Sequence, residues 1–453
     1  MKEHIRIASG QGFWGDLPSA PIDQVRNGPI DYLVMDYLAE VTMSILQKQK
    51  RRDVTLGYAR DFLPLMESLL PELVRRNITV ITNAGGVNPE SCCAALCEIA
   101  RKSGTRGVKI ASVAGDDILG QLPGLLAGGH ALANMDTGQP LAGILDRVVS
   151  ANVYFGAWPI VEALRQGTRI VVTGRTTDTG LTLAPMIAEF GWEKEEWNKM
   201  ASGTVAGHIL ECGGQASGGN FSKDWQSVPD LAHIGFPIAE AYPDGSFVVT
   251  KHEGSGGLVS RQTVVEQLVY EIGDPSNYIT ADCVADFSTI ELEEVGANRV
   301  LVKGIRGSAA TEFYKVSVAF EDGYTVVGTL TYSWPDALAK AKAADAILRT
   351  RLQDLGLQFD ELHTEFLGYD ACHGPLAHAM TDVNEVVLRV GARSHDKSAL
   401  ERFSKEIAPL ILTGPPSVTG FGSGRPKPSE VIAYWPALIR KDAVRPIVKV
   451  FET

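Results

Sequence analysis

The sequence predicts an α/β N-terminal domain with a mainly parallel three-layer sheet, followed by an α+β C-terminal domain. Three observations carry the prediction. Up to about residue 190, a short apolar run, a polar or Gly-rich break and a helix-period segment recur six times, which is how parallel sheets are written. After the CGGQ string ending at Gln215 the pattern turns to paired strands with Gly turns, so the boundaries are set at 1–215 and 216–453. Six repeats fall short of the eight of a closed barrel, which favours an open sheet, barrel-like closure being the alternative.

The six apolar runs are Ile5 to Ala8, Tyr32 to Met35, Thr79 to Thr82, Val108 to Val113, Asn152 to Phe155 and Ile170 to Thr173. Helical periodicity is clearest in Leu38 to Lys50, Asp61 to Arg76 and Pro89 to Lys102, with Pro89 suited to a helix N-terminus. A helical hairpin is expected between Asp178 and Cys212. Gly235 to Leu258 reads as two strands around Pro243-Asp244-Gly245, and Tyr314 to Ser333 as a hairpin around Glu321-Asp322-Gly323. A helix from Asp336 to Leu355, strands near Thr364 to Gly368 and Glu385 to Val390, and a helix from Lys397 to Leu412 complete a split β-α-β layer. The Gly/Pro segment Gly414 to Glu430, with Arg425 and Lys427, reads as a surface arm.

Composition narrows the functional classes. A 453-residue chain that is 45% hydrophobic can bury more than one core. A formal charge of -12, with Lys48 to Arg52 as the main basic run, argues against nucleic acid, since a phosphate backbone needs a basic face. Without an apolar stretch of roughly 18 residues no membrane span is expected, and the opening MKEHIRIASG reads as a strand rather than a signal peptide, so a cytoplasmic location is expected. The six cysteines match neither a disulfide framework nor a paired zinc motif and read mostly as buried hydrophobes. A homo-oligomer is expected.

In α/β sheets ligands bind at the carboxyl ends of the strands, so the breaks after the runs should line one rim, placed between the two domains. Ser9 to Asp16 holds GQG but lacks the third glycine of a dinucleotide loop, and Pro18 and Pro21 oppose a long first helix; neither NAD nor flavin is expected. Its amides, at Gly12 above all, could instead cradle a substrate anion. Asp36 and Glu40 fall one turn apart if a helix starts near Asp36; Asp36 is a ligand-facing acid or an N-cap. Asn83 and Gly85 lie in TNAGGVNP, Asp116 and Asp117 before a helix, and Arg175 with Asp178 at a strand end, where the pair either positions a substrate carboxylate or braces the loop. His208 and Glu211 share a helical face, a reading that fits a metal pair, an acid-base pair or a satisfied core histidine. Gln215 in the adjoining CGGQ is a substrate-binding candidate. Cys212 is disfavoured as a nucleophile because Glu211 would raise its pKa. His373 with Asp370 fits a turn or a site. The cofactor is otherwise unknown, with a divalent metal as a candidate because several carboxylates approach the rim.

The strings SGQGFWGD, DYLVMDYLAE, TNAGGVNP, GRTTDTGLTLAP, AGHILECGGQASGGNF, GFPIAEAYPDGSFVVTKHEGSGGLVS and GPPSVTGFGSGRPKPSEVIAYWPALI resemble the acyclic terpene utilisation (AtuA) family, over Ile5 to Ile447. The resemblance implies a place in the breakdown of acyclic terpenoids through branched acyl-CoA thioesters, with a lyase or hydratase step on a 3-hydroxyacyl compound. It also implies a small ferredoxin-like-fold partner chain, because many relatives carry such a domain after the region that ends here. Two classes follow: a lyase acting on a hydroxylated branched carboxylic acid or acyl-CoA, or a non-catalytic ligand-binding or assembly subunit. For the lyase, Asp178 or Asp36 is the expected base, Arg175 the anchor of the substrate carboxylate and His208 the general acid, with Lewis-acid catalysis the variant if these carboxylates hold a metal.

Overall fold

The computed structural model describes residues 2–378, 383–419 and 424–453. Two compact units emerge: residues up to Ala319 together with Tyr434–Thr453, and Phe320–Ala433. The expected break after Gln215 falls inside the first unit, because the strands that follow it join the N-terminal sheet.

The first unit is built on one ten-stranded mixed sheet. Its centre is parallel: β1 (Ile5–Gln11), β2 (Tyr32–Met35), β3 (Thr79–Thr82) and β4 (Lys109–Ala114), with β6 (Ile170–Thr173) inserted between β3 and β4. β2, β3 and β6 are buried along their whole length, which explains why they read as continuous apolar runs rather than alternating ones. β5 (Val148–Val153) corrects the fifth run: the strand ends before Phe155 and lies outside the large sheet, paired with a later strand. Five parallel strands, not six, therefore form the centre. β7 (Ile238–Ala241) and β8 (Phe247–Thr250) make the expected hairpin and extend the sheet antiparallel from β1. Beyond a short sheet of β9 (Tyr278–Ile279), β10 (Cys283–Asp286) and β13 (Arg306–Ala309), the chain adds β11 (Glu291–Gly296) and β12 (Arg299–Lys303) to the large sheet beside β8. Among the described residues the sheet is open, with no barrel closure.

Helices cover both faces. Val80, Ile170 and Val172 meet α1 (Ala20–Asn27), α2 (Glu40–Arg52), α3 (Phe62–Arg76) and α4 (Pro89–Lys102) on one side. The short α5 (Leu122–Ala127) lies beyond β4 in sequence. Ile5, Ile81 and Val171 meet α6 (Trp158–Arg165), α7 (Gly180–Phe190) and α8 (Trp197–Glu211) on the other, with α9 (Arg261–Val269) packed on α8. Residues one apart in a strand thus serve opposite layers, and the three-layer expectation follows from the pleat. α8 shows how little amphipathicity a sandwiched helix needs: Met200 through Leu210 are all buried, with Gly203 and Gly207 facing α7. Among the described residues no helix is long and apolar enough to cross a membrane.

β14 (Phe313–Ser333) runs through the point where the hairpin was expected. Gly323 takes φ +79° inside a continuous strand, with the site a Cβ would occupy 3.0 Å from the Ser394 carbonyl oxygen. A Gly after two acids can be a kink in one strand as well as the apex of two, and here it is a kink. The second unit sets α10 (Ala337–Asp354) and α11 (Lys397–Ile407), followed by the one-turn α12 (Leu410–Thr413), against an antiparallel sheet. That sheet has the order β15 (Glu361–Leu367), β16 (Glu385–Ser394), β14, β17 (Val418–Thr419). Residues 420–423 of the Gly/Pro arm lie outside the described residues; Arg425 and Lys427 belong to no helix or strand. The chain then forms β18 (Ser429–Arg440) and returns to the first unit as β19 (Ile447–Glu452), antiparallel to β4.

Candidate functional site

The carboxyl ends of the parallel strands are tied together by polar side chains that water does not reach. Asp36, directly after β2, is 6% exposed; its Oδ1 accepts from the Asn83 side-chain amide at 2.6 Å and from Leu38 N at 3.0 Å. Asn83, directly beyond β3, accepts on its Oδ1 from Tyr37 N at 2.7 Å. Asp116, beyond β4, accepts from the Asn152 amide at 2.9 Å and from Arg175 N at 2.8 Å. The helix expected at Asp36 begins at Glu40, so these two acids do not share a helical turn.

Arg175 is the hub. Its side chain is 2% exposed, and Nη1 donates to the Leu38 carbonyl at 2.9 Å and to Asp178 Oδ1 at 2.7 Å. Nη2 donates to the Tyr154 hydroxyl at 3.1 Å, while the guanidinium stacks on that ring at 4.3 Å. Tyr154 in turn donates to Glu40 Oε1 at 2.8 Å. Because β5 pairs with β14, Lys315 stands beside Tyr154, its Nζ 4.8 Å above the ring centre and 3.7 Å from Glu40.

Over this frame lies a cavity of about 350 Å³ that belongs wholly to the first unit, not to a boundary between domains. Asp178, Glu211, Thr177 and Lys315 give it polar groups, and Met135, Tyr278, Ile279, Phe313 and Leu438 give it apolar walls. Glu211 is brought in by the last turn of α8, and behind it His208 is 1% exposed. His208 Nδ1 lies 2.8 Å from Glu211 Oε1, within ion-pair distance but off the line of a good hydrogen bond, and Nε2 lies 2.9 Å from the Gln267 carbonyl oxygen.

Burial sets the electrostatics. It pushes Asp36 well above the ordinary carboxylate range, with Asp178 adding to the rise against Arg175 and Asn83. Glu211 is raised by burial, with His208 opposing and Asp178 and Glu271 reinforcing. For His208 burial favours the neutral ring, yet the Glu211 charge wins and the pKa rises. Burial would also raise Glu40, but Arg175 holds it below its usual value. Asp116 is pushed up to about 7 by burial, and Cys212 to about 12 by burial and Glu211, which leaves its thiol a poor nucleophile.

Of the residues singled out from sequence, Asp178 and Glu211 line the cavity; Asp36, Asn83, Asp116, Arg175 and His208 form the layer behind them. Arg175 is committed to partners within the protein. Gln215 instead donates to the Gln267 side chain at 3.0 Å and lines a separate hollow with Glu266 and Tyr270. Gly12 gives its amide to Asp16 Oδ2 at 2.8 Å, so this loop closes on itself rather than offering that amide to an anion. A Cβ there would stand 2.9 Å from the Glu211 carbonyl oxygen: the glycine lets the first loop press against the end of α8. Gly85 packs as tightly on the Thr173 carbonyl at the end of β6. His373 lies in a turn of the second unit, its amide on the Asp370 carbonyl. Among the described residues no three His, Cys, Asp or Glu side chains are placed to hold one metal ion. Tyr154, Lys315 and the Tyr278 to Ala281 segment were not singled out from sequence. Only Tyr154 carried a signal, since it lies near the end of the fifth apolar run, Asn152 to Phe155.

No curated protein and no solved structure matches this chain. Residues 5–450 match the family described as acyclic terpene utilisation family protein AtuA. With nearly the whole sequence covered, the chain belongs to the acyclic terpene utilisation (AtuA) family.

Proposed function

We propose that the protein is a hydro-lyase or hydratase acting on a hydroxylated, branched carboxylic acid or its CoA thioester in a catabolic sequence. The observation that carries this reading is a pair of carboxylates on one apolar-walled cavity whose surroundings differ. Asp178 is ion-paired with a buried guanidinium, whereas Glu211 is desolvated with its pKa raised. Two acids held apart in this way can divide base and acid work. In the dehydrating direction Asp178 takes the proton from the carbon beside the carbonyl. Glu211 gives its proton to the departing hydroxyl, so that a carbon–carbon double bond and water form. Hydration runs the same steps backwards.

Lys315, rather than Arg175, is the cation at the cavity that suits a substrate carboxylate or the charge developing on the carbonyl oxygen. Met135, Phe313 and Leu438 also wall a neighbouring hollow of about 550 Å³, which gives a branched hydrocarbon chain room beyond the carboxylates. The test is to incubate the purified protein with branched 2-enoyl and 3-hydroxyacyl thioesters and with the free acids, following loss or gain of the conjugated double bond. Turnover abolished by Asp178→Asn and by Glu211→Gln supports the reading. Binding of these ligands without turnover would replace it with the non-catalytic ligand-binding or assembly subunit, which the same assay can revisit with the small ferredoxin-like partner added.

A further inference from the structure

His208 lines no part of the cavity, yet it is not an ordinary core histidine. One ring nitrogen, Nε2, lies 2.9 Å from the main-chain carbonyl oxygen of Gln267. A carbonyl can only accept, so Nε2 must carry hydrogen in every protonation state of the ring. The other nitrogen, Nδ1, lies 2.8 Å from Glu211 Oε1. With the Nε2 proton fixed, Nδ1 is bare unless the ring is cationic, and a bare nitrogen 2.8 Å from a carboxylate oxygen is repulsive even off the line of a hydrogen bond. One proton therefore belongs to the His208–Glu211 contact, either as imidazolium with carboxylate or as neutral imidazole with carboxylic acid.

The support for Gln267 is itself built in. Its side chain is fully buried, donates to the His208 carbonyl at 2.8 Å and accepts from Gln215 at 3.0 Å, which locks α9 against α8. Tyr278 and Phe287 set their rings edge-on to the imidazole, at 5.7 and 5.3 Å between centres, and shut out water. The charged groups that face the pair are Asp178 and Glu271, both acids. Each favours keeping the proton.

We propose that His208 is a positioning residue that stores the proton Glu211 uses, held in the Nε2–H tautomer by the Gln267 carbonyl. The inference deepens the acid role given to Glu211 above and rests on that reading for its chemical use. The tautomer and the shared proton, however, are properties of the resting protein. When Glu211 protonates the leaving hydroxyl, the dyad goes from one shared proton to a carboxylate beside a neutral Nε2–H ring. The proton that Asp178 has taken from the substrate then restores it through the cavity, so no net proton is lost. The ring nitrogen that faces Glu211 never exposes itself to solvent.

The test needs no substrate. Long-range 15N–1H correlation spectra of 15N-histidine-labelled protein, recorded across pH, report each ring nitrogen of His208, assigned by the contacts of its ring protons with the Tyr278 and Phe287 rings and checked by its loss in His208→Gln. Nε2 is expected to keep its proton throughout, with Nδ1 titrating above the ordinary histidine value of 6.5. In Glu211→Gln that titration should drop below the wild-type value, because burial remains and the favourable charge is gone. A neutral ring protonated on Nδ1, or a titration unmoved by Glu211→Gln, overturns the proposal, and the wild-type spectrum alone decides the tautomer if the variants do not fold. If the dyad is as stated and no substrate is turned over, the enzyme reading fails while the proton store stands.

Discussion

The two ends of the parallel strands use charge in opposite ways. At the amino rim, Lys2 bridges Asp31 at 3.3 Å and Glu189 at 3.1 Å, Tyr32 donates to Glu189 at 2.7 Å, and Arg169 reaches the Asn77 carbonyl at 2.9 Å. Those ions are partly solvated, Lys2 at 45% and Asp31 at 37%. The carboxyl rim instead buries a guanidinium at 2% and leaves its Nε without a partner, with Asp36 and Asp116 buried beside that residue. Solvated pairs at a rim are inexpensive and weak. Buried ones cost desolvation and persist where their neighbours over-determine them, which is the pattern expected of a working site.

The contrast breaks first on turnover. Asp178→Asn or Glu211→Gln is expected to lower kcat/KM by about 10²–10⁴-fold, as loss of a general base or acid does, while Glu189→Gln at the other rim leaves it unchanged; steady-state kinetics on one substrate decides. Stability comes next. Arg175→Met should cost about 3–5 kcal/mol in urea unfolding, since it leaves buried acid without its counter-charge, and adding Asp36→Asn should recover part of that loss.

A smaller effect lies in the pH dependence. Burial pushes Asp116 up to about 7, and it pushes Asp282, which lies between β9 and β10 and accepts from Ala157 N at 2.9 Å, up to about 6. A raised carboxyl contributes its full stability below the unfolded pKa and loses it as pH climbs through the folded one. The protein should therefore be more stable at pH 5 than at pH 8, and Asp116→Asn should narrow that gap in paired denaturation curves. Phe313→Ala should raise KM for the longer-chain substrates by about tenfold with little change in kcat, the size of a lost apolar contact. Smallest of all, Lys2→Ala should shift stability by less than about 1 kcal/mol; a larger loss would mean that the amino rim is also strained.

The sequence made the sheet's centre readable where burial is two-sided: β2, β3, β6 and α4 run between the residues expected, because a strand covered on both faces is an unbroken apolar run with sharp ends. It failed where one signal has two causes. Glu321-Asp322-Gly323 marks a turn by composition and a kink by position, and only the partner strand β16 distinguishes them. The inner layer of the site was legible for the same reason as the strands, since Asp36, Asn83, Asp116 and Arg175 stand immediately beyond them. The cavity's own surface was not. Met135, Tyr278, Lys315 and Leu438 come from four distant stretches with no periodicity or motif in common, and tertiary packing alone assembles them.

The pairing of β19 with β4 bears on how the chain is made. Synthesis delivers β4 early and β19 only after the whole of Phe320–Ala433 has emerged, so the unit that starts first is completed last. Until then β4, whose inner neighbour is β6, offers its other edge of unpaired amides and carbonyls to any strand nearby. The nascent chain is thus exposed to mispairing at that edge while the later unit is being made, and chaperone demand should concentrate there. A chain truncated before Ile447 would keep every strand of the second unit's sheet while the first unit stayed open along one side.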